Sequence, residues 1–241
     1  MRTFVFFLYF WLTVACSSPI ALILWVLDSA GLHAVRPLTG VLVRLWARSL
    51  IALLGVRVRT EGLERIPKGE PVCFVSNHQG NFDIAVILAC LPGCVGFITK
   101  SQALWFPFLN LWILALGGVF LDRDRISKAR QAMDKGVDRL RSGASMVVFP
   151  EGTRSRGPDM GEFHGGSFKL ATRSGASIVP ISIQGTYHIW EEKGSIVPSS
   201  VTLKAGEPVP TRGLDPEGRK ALPALVRDRI ARALDSTERA G

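Results

Sequence analysis

His78 and Asp83 stand five residues apart in NHQGNFD, directly after the β-branched run VCFVS (72–76). A histidine that shares one ring nitrogen with a carboxylate has its tautomer fixed, which leaves the other nitrogen to take a proton. Five residues of continuous helix turn ~500°, and that would point the two side chains about 140° apart. They meet only if His78 lies in a loop and Asp83 in the first turn of a helix, with Asn81 as its cap and Gly80 allowing the bend. The pair would be the base half of a triad without its nucleophile. No Gly-x-Ser-x-Gly occurs, and GGSFK around Ser167 lacks the last glycine. A hydroxyl on the substrate is then the expected nucleophile. Taken alone, the same spacing is what a satisfied structural histidine would show.

Two arginines alter that balance. Arg154 lies in FPEGTRS (149–155), where a proline-to-glycine turn after SMVVF presents Glu151, Gly152, Thr153 and Arg154; Arg123 follows GVFLD. Guanidinium groups from two loops can converge on one anion and bind a phosphate bidentately. The competing reading of each is an ion pair, Arg123 with Asp122 or Asp124 and Arg154 with Glu151.

The elements that must position these groups alternate. VCFVS, VGFIT (95–99), GVFLD (118–122), SMVVF (145–149) and SIVPISI (177–183) read as strands. FDIAVILACL (82–91), FLNLWILAL (108–116) and the amphipathic 126–143 read as helices. The fold class is therefore α/β, a mostly parallel sheet flanked by helices, with chemistry in the loops after VCFVS, GVFLD and SMVVF. From Pro216 onward the mixed charges around Leu222, Val226 and Ile230 predict a surface helix.

The chain has 241 residues and a formal charge of +9, enough for one core and in need of an anionic partner. Residues 1–60 hold six arginines against one acid, Asp28, set among long apolar runs rather than polar and aromatic ones. That pattern favours a membrane surface and argues against nucleic acid. Phe4 to Leu27 carry no charge and are long enough to span ~30 Å of hydrocarbon. The rival reading is a signal peptide cut before Cys16, but the apolar run continues beyond that point. Residues 38–56 carry Arg44 and Arg48 one turn apart, which reads as an interfacial helix or a core helix with snorkelling arginines. Residues 1–56 are thus expected to be a two-helix membrane anchor, and 57–241 the catalytic domain. The four cysteines form no Cys-x-x-Cys pair and none has a histidine at ligand spacing, so no metal or cofactor is expected.

NHQGNFD, GGVFLDR, FPEGTRS and IVPISI stand in the order of the four motif blocks of the glycerolipid acyltransferases. The chain resembles that family and, within it, the lysophosphatidate acyltransferases, including the paired apolar helices of bacterial members. The resemblance implies that His78 removes the proton from the 2-hydroxyl of lysophosphatidate as it attacks an acyl thioester of coenzyme A or acyl carrier protein, with Asp83 orienting the base. It assigns Arg123 and Arg154 to the phosphate, Glu151 and Gly152 to the glycerol, Lys100 to the same neighbourhood, and Val179 and Pro180 to the acyl pocket. It also implies attachment at the cytoplasmic face of the cell membrane. Three positions depart from the family pattern. Gly80 replaces a frequent serine, Ser101 a second lysine, and His164 a lysine for which Lys169 could substitute. Another lysolipid acceptor, a hydrolase using water, and a membrane lipid-binding protein without turnover are the competing functions.

Overall fold

The computed structural model describes residues 1–122 and 125–238. Among the described residues seven strands form one sheet in the order β1-β7-β6-β2-β5-β3-β4. Each strand of the core is apolar on both faces because helices cover both sides. β2 (Val72–Ser76) is buried throughout its length. It pairs in parallel with β5 (Ser145–Val148) on one side and with β6 (Ser177–Gln184) on the other. β3 (Val95–Lys100) and β4 (Val119–Leu121) extend the parallel array beyond β5. The chain leaves β2 for β3, two places away, and later returns through β5 and crosses to β6. The order thus reverses beside β2, and the crevice at its carboxyl end is where such sheets hold ligands.

Two strands were not anticipated. β1 (Arg57–Glu61) and β7 (Ser200–Ala205) pair in parallel with each other, and β7 joins β6 antiparallel. β7 does alternate, with Val201, Leu203 and Ala205 buried. The sequence RVRTE of β1 carries three charges and hides as an exposed edge.

Helices lie where the apolar periodicity requires. α1 (Arg2–Ser29) and α2 (Arg36–Leu54) precede the sheet; α3 (Asp83–Cys90) follows β2 and α4 (Leu109–Ala115) follows β3. α5 (Ile126–Arg141) and α6 (Lys169–Ser174) lead into β5 and β6, and α7 (Pro216–Glu238) closes the chain. Leu222, Val226 and Ile230 recur every four residues on α7 and are buried, a single stripe facing the core.

The first two helices are integral to this fold. Phe6, Ala47, Leu50, Ile51 and Leu54 share one buried cluster with Phe74, Phe97 and Val179 of the sheet. By length and composition both helices could cross a membrane. Contacts at the two ends of α1 exclude that arrangement. Near its start, Thr3 Oγ accepts the Ile196 N–H at 3.1 Å. At its end, buried Asp28 accepts hydrogen bonds from Arg36 Nε at 2.7 Å, from His33 Nδ1 at 2.9 Å, and from Arg139 of α5. A helix of ~42 Å held at both ends by one domain lies along that domain. Its outer face remains apolar and exposed, at Phe4, Leu8, Leu12 and Ile23. Burial pushes the Asp28 carboxyl up, and the hydrogen bonds from Arg36, His33 and Arg139 outweigh it, leaving the group below its usual range.

Arg44 and Arg48 both reach from α2 to the main chain around α3. Arg48 Nε donates to the Ala89 carbonyl at 3.2 Å and Arg44 to the Gly93 carbonyl at 3.4 Å, so both serve carbonyls at and just beyond the end of α3. α2 comes so close there that a Cβ on Gly40 would sit 2.5 Å from the Gly93 oxygen.

Candidate active site

β2 ends at Ser76 and the chain runs extended through Asn77 to Gly80, turns at Asn81 and Phe82, and becomes helical at Asp83. The base and its carboxylate therefore face each other across a loop-to-helix junction, the one geometry that their spacing permits. His78 Nδ1 lies 2.7 Å from Asp83 Oδ2. An ionised carboxylate only accepts, so Nδ1 carries the proton and Nε2 presents its lone pair. Asp83 is inaccessible to solvent, whereas the His78 side chain keeps 15% of its surface, enough for a substrate to reach the ring.

Asp83 is held from every side. Oδ2 also accepts the Gly80 N–H at 3.0 Å, and Oδ1 accepts the Thr186 hydroxyl. Thr186 lies just past the end of β6, neighbour to β2, and is fully buried. The anticipated cap is not made: α3 has no side-chain cap, and Asn81 instead accepts a hydrogen bond from Arg154 through Oδ1.

The flanking residues tie the histidine loop to its neighbours. Asn77 Oδ1 accepts from the Ile183 N–H and its Nδ2 donates to the Ile183 carbonyl, both at 2.8 Å, extending the β2–β6 pairing by one amide. Gln79 Oε1 accepts the Gly185 N–H at 2.8 Å. On the β5 side, the Ser155 and Arg156 N–H groups donate to the His78 and Gln79 carbonyls at 2.8 and 3.0 Å. Phe149 stacks on the His78 ring, centroids 4.0 Å apart, and fixes its plane.

Glu151 is buried, with Oε1 accepting the His78 N–H at 2.7 Å and Oε2 the Gly161 N–H at 2.8 Å. Its carboxylate therefore positions the main chain of the base. Burial pushes the Glu151 carboxyl above its usual range, against the opposing pull of the hydrogen bonds from Gly161 and His78. Gly152 adopts φ 71° to close the turn, and Thr153 is exposed beside it.

Arg154 is joined to the histidine loop through Asn81 and lies 3.4 Å from Glu191 Oε1. Glu191 also accepts the Asn81 N–H at 2.7 Å. A Cβ on residue 80 would fall 2.6 Å from Glu191 Oε2, so a side chain there would push the Glu191 carboxylate aside. Lys100 is exposed at the end of β3, on the same edge of the sheet but two strands from β2. Arg123 lies outside the described residues. Phe149, Thr186 and Glu191 were not foreseen. The strand SIVPISI was visible, and its carboxyl end, extended by three residues, reaches Thr186.

Two cavities flank the pair. An apolar one of about 950 Å³ runs from Asn81 and Phe82 between α1, α2, α3 and α4, past Phe10, Trp46 and Trp112. Val179 and Pro180, expected to line an acyl pocket, do not wall it. Val179 is packed in the sheet core, and the Pro180 ring faces Gly206. The other, about 1010 Å³, has Phe149, His164 and Lys169 in its wall.

The chain is similar in sequence and fold to known proteins. The acyltransferase family profile matches residues 57–184, which include His78, Asp83, Glu151 and Arg154 but not Thr186 or Glu191. The 1-acyl-sn-glycerol-3-phosphate acyltransferase of Borreliella burgdorferi is 29% identical over 201 residues, 83% of this chain and 80% of that protein. Human 1-acyl-sn-glycerol-3-phosphate acyltransferase beta is 32% identical over 209 residues, 85% of this chain and 73% of the relative. The crystal structure of the 1-acyl-sn-glycerophosphate acyltransferase of Thermotoga maritima superposes with a TM-score of 0.80 at 28% identity, covering 99% of this chain and 98% of that one, both N-terminal helices included. The chain belongs to the acyltransferase family.

Proposed function

We propose that the protein transfers a fatty acyl group from a thioester of coenzyme A or acyl carrier protein to the 2-hydroxyl of 1-acylglycerol-3-phosphate, forming phosphatidate. The observation that carries this reading is the His78–Asp83 pair, with Nδ1 committed to a buried carboxylate and the imidazole still partly exposed. As the acceptor hydroxyl attacks the thioester carbonyl, Nε2 takes its proton and the new C–O bond forms. The tetrahedral intermediate collapses by breaking the C–S bond, and the departing thiolate recovers the proton from the imidazolium. Asp83 stabilises that transient cation. No Ser, Cys or Thr nucleophile is needed, since the hydroxyl belongs to the substrate.

Arg154, whose guanidinium reaches the histidine loop, suits the acceptor's phosphate. Anchoring the phosphate there turns a bimolecular encounter into an oriented attack. Glu191 holds Arg154 until the phosphate arrives. The apolar cavity suits an acyl chain. The exposed apolar face of α1 supports residence on a membrane surface, and a cytoplasmic acyl donor would place it on the cytoplasmic leaflet of the cell membrane. The relatives above are named 1-acyl-sn-glycerol-3-phosphate acyltransferases, which supports the choice of acceptor. The test offers purified protein lysophosphatidate, larger-headed lysophospholipids and a lyso-ornithine lipid side by side with one acyl thioester. Phosphatidate should form fastest, and equal or faster use of another acceptor would overturn the choice.

A further inference from the structure

Between β3 and α4 the chain makes a 3-10 turn, Ser101–Trp105, and then Phe106, Pro107 and Phe108. Four large apolar side chains in this stretch face outward: Leu104 is 45% exposed, Trp105 87%, Phe106 50% and Phe108 45%. No charged residue occurs from Ser101 to Leu121. Phe108 sits at φ 65°, a left-handed conformation that a bulky residue rarely adopts. A soluble surface seldom presents so dense an apolar run without a partner.

The partner is indicated by what the turn adjoins. Phe106 stacks on Trp11 of α1, ring centroids 6.4 Å apart. Phe4, Leu8 and Leu12, four residues apart on the same helix, are all more than half exposed. Turn and helix therefore form one continuous apolar surface. Ala103 and Phe106 also line the apolar cavity, so this surface borders the cavity's wall. We infer that Leu104–Phe108 is a membrane-insertion element of the catalytic fold itself, seated in the acyl region of one lipid leaflet beside α1. The cavity then opens toward hydrocarbon, and an acyl chain reaches Asn81 and Phe82, beside the His78–Asp83 pair, without crossing water. The last point rests on the acyltransferase reading; the insertion does not.

The experiment uses the full chain, with Cys16 changed to Ser because it is the exposed cysteine among the described residues. A polarity-sensitive thiol fluorophore is placed at Trp105→Cys or, as control, at Lys68→Cys in the loop before β2. Each protein is bound to phosphatidylcholine–phosphatidylglycerol vesicles containing nitroxide lipids labelled on the acyl chain or on the headgroup. At 105, emission should shift to the blue and be quenched more by the acyl-chain label; at 68 neither should occur. A water-like, unquenched probe at 105 on bound protein, or no vesicle binding at all, would overturn the inference. In parallel, Leu104→Ser/Trp105→Ser should slow turnover of vesicle-borne acceptor about tenfold or more while sparing a monomeric short-chain one. Equal loss on both acceptors would contradict insertion. A parent that inserts yet transfers no acyl group would refute the enzymatic reading alone.

Discussion

Replacing Asp83 by asparagine isolates what the carboxylate contributes. Oδ2 receives two N–H donors, from His78 and Gly80, and Oδ1 a hydroxyl from Thr186. The amide therefore settles with its oxygen at the Oδ2 position, because its NH2 group there would face two hydrogens. At the Oδ1 position the NH2 group can donate to the Thr186 hydroxyl, which is able to accept. The histidine tautomer survives, and the loss is the stabilisation of the imidazolium. At the observed 2.7 Å a cation and a carboxylate attract by about 6 kcal/mol in an effective dielectric of ~20. A neutral hydrogen bond retains about 1.5 kcal/mol. Since the donors from Gly80 and Thr186 already draw on the carboxylate's charge, the expected net loss is about 3–4 kcal/mol, or ~10²- to ~10³-fold in kcat. KM should change little, because Asp83 is sealed from the substrate. Purified protein in mixed micelles, with lysophosphatidate, an acyl-CoA and a thiol reagent, provides the assay. Cys73, Cys90 and Cys94 add little background, since burial pushes their thiols up to about 12, 11 and 12. A kcat within threefold of the parent would refute the reasoning.

Glu151→Gln puts an amide NH2 against the N–H of either His78 or Gly161, which should cost about 1–3 kcal/mol in thermal or denaturant unfolding and lower kcat as the histidine loop shifts. Glu191→Gln keeps an acceptor for the Asn81 N–H but removes the charge that competes for Arg154. KM for lysophosphatidate should fall by about 1.5- to 5-fold, the value of a weak ion pair at 3.4 Å, and a rise would contradict the holding role. Asp28→Asn should destabilise the protein at pH 7 by about 2–3 kcal/mol, since Arg36 and Arg139 lose a buried partner. The native Asp28 group is held below its unfolded value of 3.8. Its contribution is thus complete above that value and lost as pH falls through the native one. Unfolding curves of parent and variant should therefore converge in acid, and a gap that persists at pH ~2 would argue against the charge pairing.

Much of this architecture was legible because its signals are local. β2, β3, β5 and β6 are short apolar runs, and His78 and Asp83 belong to one turn of chain whose spacing admitted a single geometry. What escaped depends on adjacency across the sheet. Thr186 and Glu191 lie beyond β6, and only the parallel pairing of β6 with β2 brings them to the histidine loop. Phe149 reads as a strand residue until β5 is known to lie beside β2. The hydrogen bonds of Arg44 and Arg48 to carbonyls around the end of α3 likewise depend on how α2 packs and are not readable from composition. Glu151 reads as a polar group offered to substrate, whereas burial commits it to two main-chain N–H groups.

The central claim is that Nε2 of His78 takes the acceptor's proton, and His78→Ala tests it most directly. The ring is stacked on Phe149 and partly exposed, so its removal should leave the fold intact by circular dichroism and thermal unfolding. Phosphatidate formation should fall by about 10²- to 10⁴-fold, the usual contribution of a positioned general base, with lysophosphatidate binding retained. A folded His78→Ala protein that still makes phosphatidate within tenfold of the parent rate would contradict that role.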